Sequence, residues 1–178
     1  AYSNLSLIEL LKGNYQDGLD HYEFRFKQSS PICLHGIPII NRNEGNLLKK
    51  SEKLLVIGEQ ALGDIIFHMR YLIPLRKYGI DVSFCAPKKL HSLIKDSGIH
   101  SHPITPEQCN LVKEGKWIPL LSLLKYFSIS PQNPLVNTPY ISSTEILKDK
   151  WRKILANETR PIIGINWQGN KKTEDHYK

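Results

Sequence analysis

From residue 53 the chain alternates between short apolar runs and stretches whose apolar positions fall three and four apart. "KLLVIG" (53–58) is apolar at nearly every position, which predicts a strand buried on both faces. "GDIIFHMRYLIPLRKYG" (63–79) predicts a helix with Ile65, Met69, Leu72 and Ile73 inward. Pro74 should kink or restart that helix, and Gly79 should stop it. "IDVSFCA" (80–86) predicts a second strand, and Pro87 opens a helix that ends at Gly98. "IHSHPI" (99–104) predicts a short strand; 116–129 reads as a strand end followed by a helix. "TPYISS" (138–143) is extended, 143–157 is a helix capped by Ser143 or Thr144, and 160–170 is a last strand with a Gly-Asn turn. Strands alternating with helices imply an α/β fold: a parallel sheet with helices on both faces and right-handed crossovers, a Rossmann-like arrangement.

The first 30 residues follow another pattern. Leu5, Leu7, Ile8 and Leu11 stand at helical spacing with Asn4 as a cap, and Leu19, Tyr22 and Phe26 share a second helical face. Two short antiparallel helices are too small to bury a core alone and need a neighbour. Residues 31–50 carry prolines, glycines and little periodicity, which predicts a connector with a boundary near Ser51. The expected organisation is a helical pair (1–30), a linker (31–50), an α/β domain (51–160), and the start of a further domain (161–178).

Charge changes the picture only slightly. The 24 lysines and arginines against 17 acids give a formal charge of +7, which attracts anions. The basic residues are scattered in pairs such as Lys49-Lys50 and Lys88-Lys89, which argues against a nucleic-acid stripe. Cys33, Cys85 and Cys109 are odd in number and widely spaced, so neither a disulfide framework nor a zinc site is expected, and a cytoplasmic, reducing setting fits. No stretch reaches the length of a membrane span.

Candidate chemistry concentrates in the turn Gly58–Asp64, at the carboxyl end of the first strand, where open parallel sheets bind ligands. Gly63 would allow close approach, and Asp64 would stand in the first helical turn, either as a helix-stabilising acid or as a general base. The spacing does not match GxGxxG, and no GxxxxGK[ST] occurs, which disfavours dinucleotide and P-loop chemistry. His68 lies one turn after Asp64 and could face the same cleft or simply be packed. Arg70 could hold a phosphate or be a salt-bridged surface group. His100 and His102 would share a strand face, but two nitrogens without a third ligand do not make a metal site.

Read together and in order, "GNYQDGLDHYEFRF", "EQALGDIIFHMRYL", "LLSL", "PYI", "WRKIL" and "GINWQGN" resemble bacterial proteins in which tetratricopeptide repeats precede a GT-B glycosyltransferase domain similar to the lipopolysaccharide heptosyltransferases. The resemblance runs from Gly13 to Asn170. The family turn Glu-Gln-Gly-Leu-Gly-Asp is matched by Glu59 to Asp64, with Ala61 in place of a glycine; Phe67 and His68 stand where the family tends to have Gln and an aromatic. The resemblance implies an inverting, metal-independent glycosyltransferase without a cofactor, using a nucleotide-sugar donor and an unidentified acceptor. It implies Asp64 as general base, with Gly63 beside it; Gln60, His68 and Arg70 are the further substrate-binding candidates near the turn. Trp167, Gly169 and Asn170 would line an interdomain cleft, and Lys171 or Lys172 would approach the phosphates. The chain would then be part of a longer protein: the last repeat helices, the acceptor half, and the opening strand of the donor half. Such a fragment is expected to be inactive alone. The orphan strand would pair with the first sheet or with a second copy of the chain, making a homodimer. The alternative is a non-catalytic module in which the repeat helices bind a protein partner.

Overall fold

The computed structural model describes residues 2–27, 35–40, 48–136 and 138–165. The chain divides into two compact units, 1–143 and 144–178.

The first unit is mixed α/β. Its centre is a three-stranded parallel sheet in the order β2-β1-β3, formed by β1 (Lys53–Ile57), β2 (Asp81–Cys85) and β3 (Lys116–Pro119). Leu54 pairs with Val82 on one side and Lys116 on the other. The apolar run in β1 is explained by burial on both faces. Leu54 and Val56 join Val82, Phe84 and Ile118 in the larger cluster; Leu55 and Ile57 join Cys85, Cys109 and Trp117 in the smaller one. Two further segments extend the edges by single parallel bridges, Ile39 beside Trp117 and Ile104 beside Cys85. The expected strand at 99–104 is thus reduced to Ile104, because His100 Nε2 turns to donate to the Val82 carbonyl (2.7 Å). The connector supplies an edge: Ile40 N–H donates to Trp117 O, and Trp117 N–H to Pro38 O (both 2.9 Å).

The expected helix at 63–79 is broken. It runs as α3 (Leu62–His68), a 3₁₀ turn over Met69–Tyr71, and α4 (Leu72–Lys77). Pro74 has no N–H to give the Arg70 carbonyl, so the chain tightens upstream and restarts at Leu72. Ile65, Met69, Leu72 and Leu75 are buried, and Gly79 ends the segment with φ +88°. α5 (His91–Asp96) stops before Gly98 at φ +65°. α6 (Pro106–Cys109) carries a full capping box from Thr105 and Gln108, and α7 (Leu123–Tyr126) follows β3 through a 3₁₀ turn.

Upstream, α1 (Tyr2–Leu11) and α2 (Tyr15–Tyr22) pack antiparallel: Tyr2 stacks on Phe24 (4.4 Å), Glu9 meets His21 (2.7 Å), and Leu10 covers Gly18. The helix is already formed at Tyr2, so Asn4 is internal and caps nothing. Phe26 lies in a 3₁₀ turn, Glu23–Lys27, rather than on α2.

In the second unit, α8 (Glu145–Leu155) is capped by Thr144, whose side chain accepts from Leu147 N–H. Residues 161–165 form no strand; the rest of the expected strand lies outside the described residues.

Candidate functional site

The turn between β1 and α3 is built outward from Gly58. Its N–H donates to Cys85 O (2.8 Å), and a Cβ there would lie 3.0 Å from that oxygen and 3.2 Å from the Ile65 side chain. Only a glycine joins the strand end to the helix this closely. Gln60 then adopts φ +65°, the left-handed region that L residues keep only where surroundings require it. Ala61 returns to extended backbone as the N-cap of α3.

Asp64 Oδ2 accepts the Ala61 N–H (3.1 Å), which is one half of a capping box. Alanine has no side-chain oxygen, so the reciprocal half is missing. Asp64 is half-buried, and Gly63 beside it is exposed, with no atom within 4 Å of where a Cβ would stand. The carboxylate therefore caps α3 with one oxygen at the carboxyl edge of a parallel sheet. Exposed Leu62 and Phe67 flank it.

His68 is half-buried one turn later, with Nδ1 donating to the Asp64 carbonyl (2.7 Å). Burial pushes its imidazole below the ordinary value, against the opposing pull of Asp64. The Nδ1–H bond leaves Nε2 as the acceptor nitrogen of a neutral ring. Arg70 is held in place rather than extended into solvent: Nε donates to Phe67 O (2.7 Å), and the guanidinium stacks on Phe67 (3.9 Å) and Tyr140 (4.8 Å). Tyr140 donates to Ile66 O (2.9 Å), so the pair straps the 138–142 segment onto α3. Gln60, Gly63, Asp64 and His68 thus share the turn and the helix it opens, Arg70 is engaged by Phe67 and Tyr140, and Trp167, Gly169, Asn170 and Lys171 lie outside the described residues.

The residue that sequence reasoning missed is Glu59, in the middle of the turn. It is only 3% exposed, as is Arg25, its partner from the helical pair. Arg25 Nε and Nη2 grip the two Glu59 oxygens (3.0 and 2.7 Å), and Leu121 N–H also donates to Oε1 (3.2 Å). Arg25 further donates to Ser122 Oγ (2.8 Å), Glu23 Oε1 (2.7 Å) and Tyr22 O (3.1 Å), between the Tyr22 and Phe26 rings. Ser122 Oγ donates on to Glu23 (2.9 Å). Burial works against the Arg25 charge, but Glu59 and Glu23 outweigh it and hold the guanidinium more firmly protonated than usual. Burial raises the Tyr22 phenol, with Arg25 opposing and the charges of Glu59, Asp64 and Glu23 adding to the rise. A charged residue directly after a buried strand was the one available signal for Glu59; nothing local points to a partner 34 positions away.

Among the described residues, no group of three or more His, Cys, Asp or Glu could hold a metal ion, and no helix is long and apolar enough to cross a membrane. His102 Nδ1 meets only the neighbouring Ser101 hydroxyl (2.9 Å). Cys85 and Cys109 are buried thiols. An apolar cavity of about 390 Å³, lined by Leu48, Leu75, Tyr78, Ile80 and Tyr126, lies by the amino ends of β1 and β2, at the opposite end of the sheet from Asp64. Against known proteins, no family model, no curated protein and no solved structure matches the chain.

Proposed function

We propose that the chain is the acceptor-binding half of an inverting glycosyltransferase of Rossmann-like, GT-B architecture, preceded by tetratricopeptide-like helices, with Asp64 as general base. The observation that carries this reading is the placement of Asp64. Asp64 is half-buried, in the first turn of α3, at the carboxyl edge of a parallel sheet, and the neighbouring Gly63 has open space above it. The acceptor hydroxyl gives its proton to Asp64 as its oxygen bonds to the anomeric carbon of the sugar. The nucleoside diphosphate leaves from the opposite face with the electron pair of the broken C–O bond, inverting the centre. In this reading Gln60 and His68 Nε2 orient the acceptor, and a second domain holds the donor.

The test is transfer of labelled sugar from a panel of nucleotide-sugars by a chain that includes a complete donor domain. Asp64→Asn should lower transfer by about 10²–10⁴-fold at unchanged fold. Undiminished transfer by the variant overturns the assignment of the base. The second reading, a non-catalytic protein-binding module, draws on exposed Leu7, Ile8 and Leu11 of α1. It is favoured if the intact chain transfers no sugar yet binds a protein through that helix.

A further inference from the structure

We infer that the helical pair is a working part of the Asp64 site, with Arg25 and Glu59 as the positioning residues that hold its turn. Glu59 lies between Gly58, which is locked to β2, and Gln60, which is left-handed. Its carboxylate takes three N–H donors from two separate segments, the 3₁₀ turn after α2 and the turn after β3. Those bonds set the direction in which the chain leaves β1. Two residues on, Ala61 N–H is the one that Asp64 accepts. A continuous path therefore runs from Arg25 through Glu59 and the backbone of Gln60 to the Asp64 carboxylate. Ser122 and Glu23 close the far side, so the Arg25 fork cannot rotate away without leaving buried charges unpaired. Tyr22 brings the helical pair to the same place, its phenol lying within the fields of both Glu59 and Asp64. The consequence is that the helices are not a detachable appendage: they form one wall and the anchor of the turn.

The inference concerns turn geometry and draws on the transferase reading only for its effect on catalysis, so it is tested without activity. Amide hydrogen exchange on the whole chain compares wild type with Glu59→Gln, Arg25→Lys and Ser122→Ala. In Glu59→Gln, the amides of 60–65 should exchange about tenfold faster while those of Leu55 and Val56 keep their rates. Arg25→Lys, which keeps the charge but loses the fork, should show the same local rise. Ser122→Ala removes one hydroxyl and is the variant least able to unfold the chain; it should raise the same amides about threefold. A uniform rise over the sheet, or unchanged exchange at 60–65 in folded variants, overturns the inference. Loss of transfer in Asp64→Asn without effect of these variants on exchange would leave the base standing and remove the anchor.

Discussion

The Nδ1 of His68 lies 2.7 Å from the backbone carbonyl of Asp64, one helical turn earlier. This bond selects the tautomer, and burial keeps the ring neutral in the fold. An unfolded histidine titrates near pH ~6.5. Below that pH the unfolded chain takes a proton that folded His68 resists. The contribution is therefore fully present above the unfolded value and is lost as pH falls. Thermal unfolding from about pH 7.5 to about pH 5 should show a shallower acid limb for His68→Gln than for wild type. Parallel limbs would remove His68 from the account.

The buried pair of Arg25 and Glu59 predicts an asymmetry. Arg25→Met alone strands the Glu59 carboxylate and should cost about 3–5 kcal/mol in urea unfolding. Arg25→Met/Glu59→Leu removes both charges and should cost far less than the single variant. Additive costs would show that the two groups do not act as a pair.

Gly58→Ala tests the tightness of the strand–helix junction. The new methyl meets Cys85 O at 3.0 Å, and that oxygen is tied to Gly58 by its own hydrogen bond. A loss of about 1–3 kcal/mol is expected, read from the urea midpoint. Gly63→Ala, with open space above it, should be near neutral in stability and affect only ligand binding.

Asp64 should separate into cap and chemistry. Asp64→Asn keeps an oxygen for Ala61 N–H and should hold its melting temperature close to wild type. Asp64→Ala loses the acceptor and should cost about 0.5–1 kcal/mol. Both should lose transfer alike if the carboxylate takes the proton.

Much of this fold was legible in local pattern. The buried run at 54–57, the inward Ile65, Met69 and Leu72, the stops at Gly79 and Gly98, and a helix cap at Ser143 or Thr144 all depend on neighbours a few residues apart, which periodicity and turn chemistry report. The position of Asp64 at the carboxyl edge also followed, since a parallel strand must hand the chain to a helix there.

Other features depended on the tertiary structure. The break expected from Pro74 does occur, and only its place, upstream at Met69–Tyr71, was not fixed by the pattern. The predicted strand at 99–104 gave way to one bridge at Ile104, and the connector became a sheet edge at Ile39, because edge pairing depends on what the finished sheet leaves open. Above all, the union of Arg25 with Glu59 and Ser122 joins residues 34 and 97 positions apart. A buried charge gains its worth only when folding brings its partner and excludes water, so no local signal in either segment could announce the other.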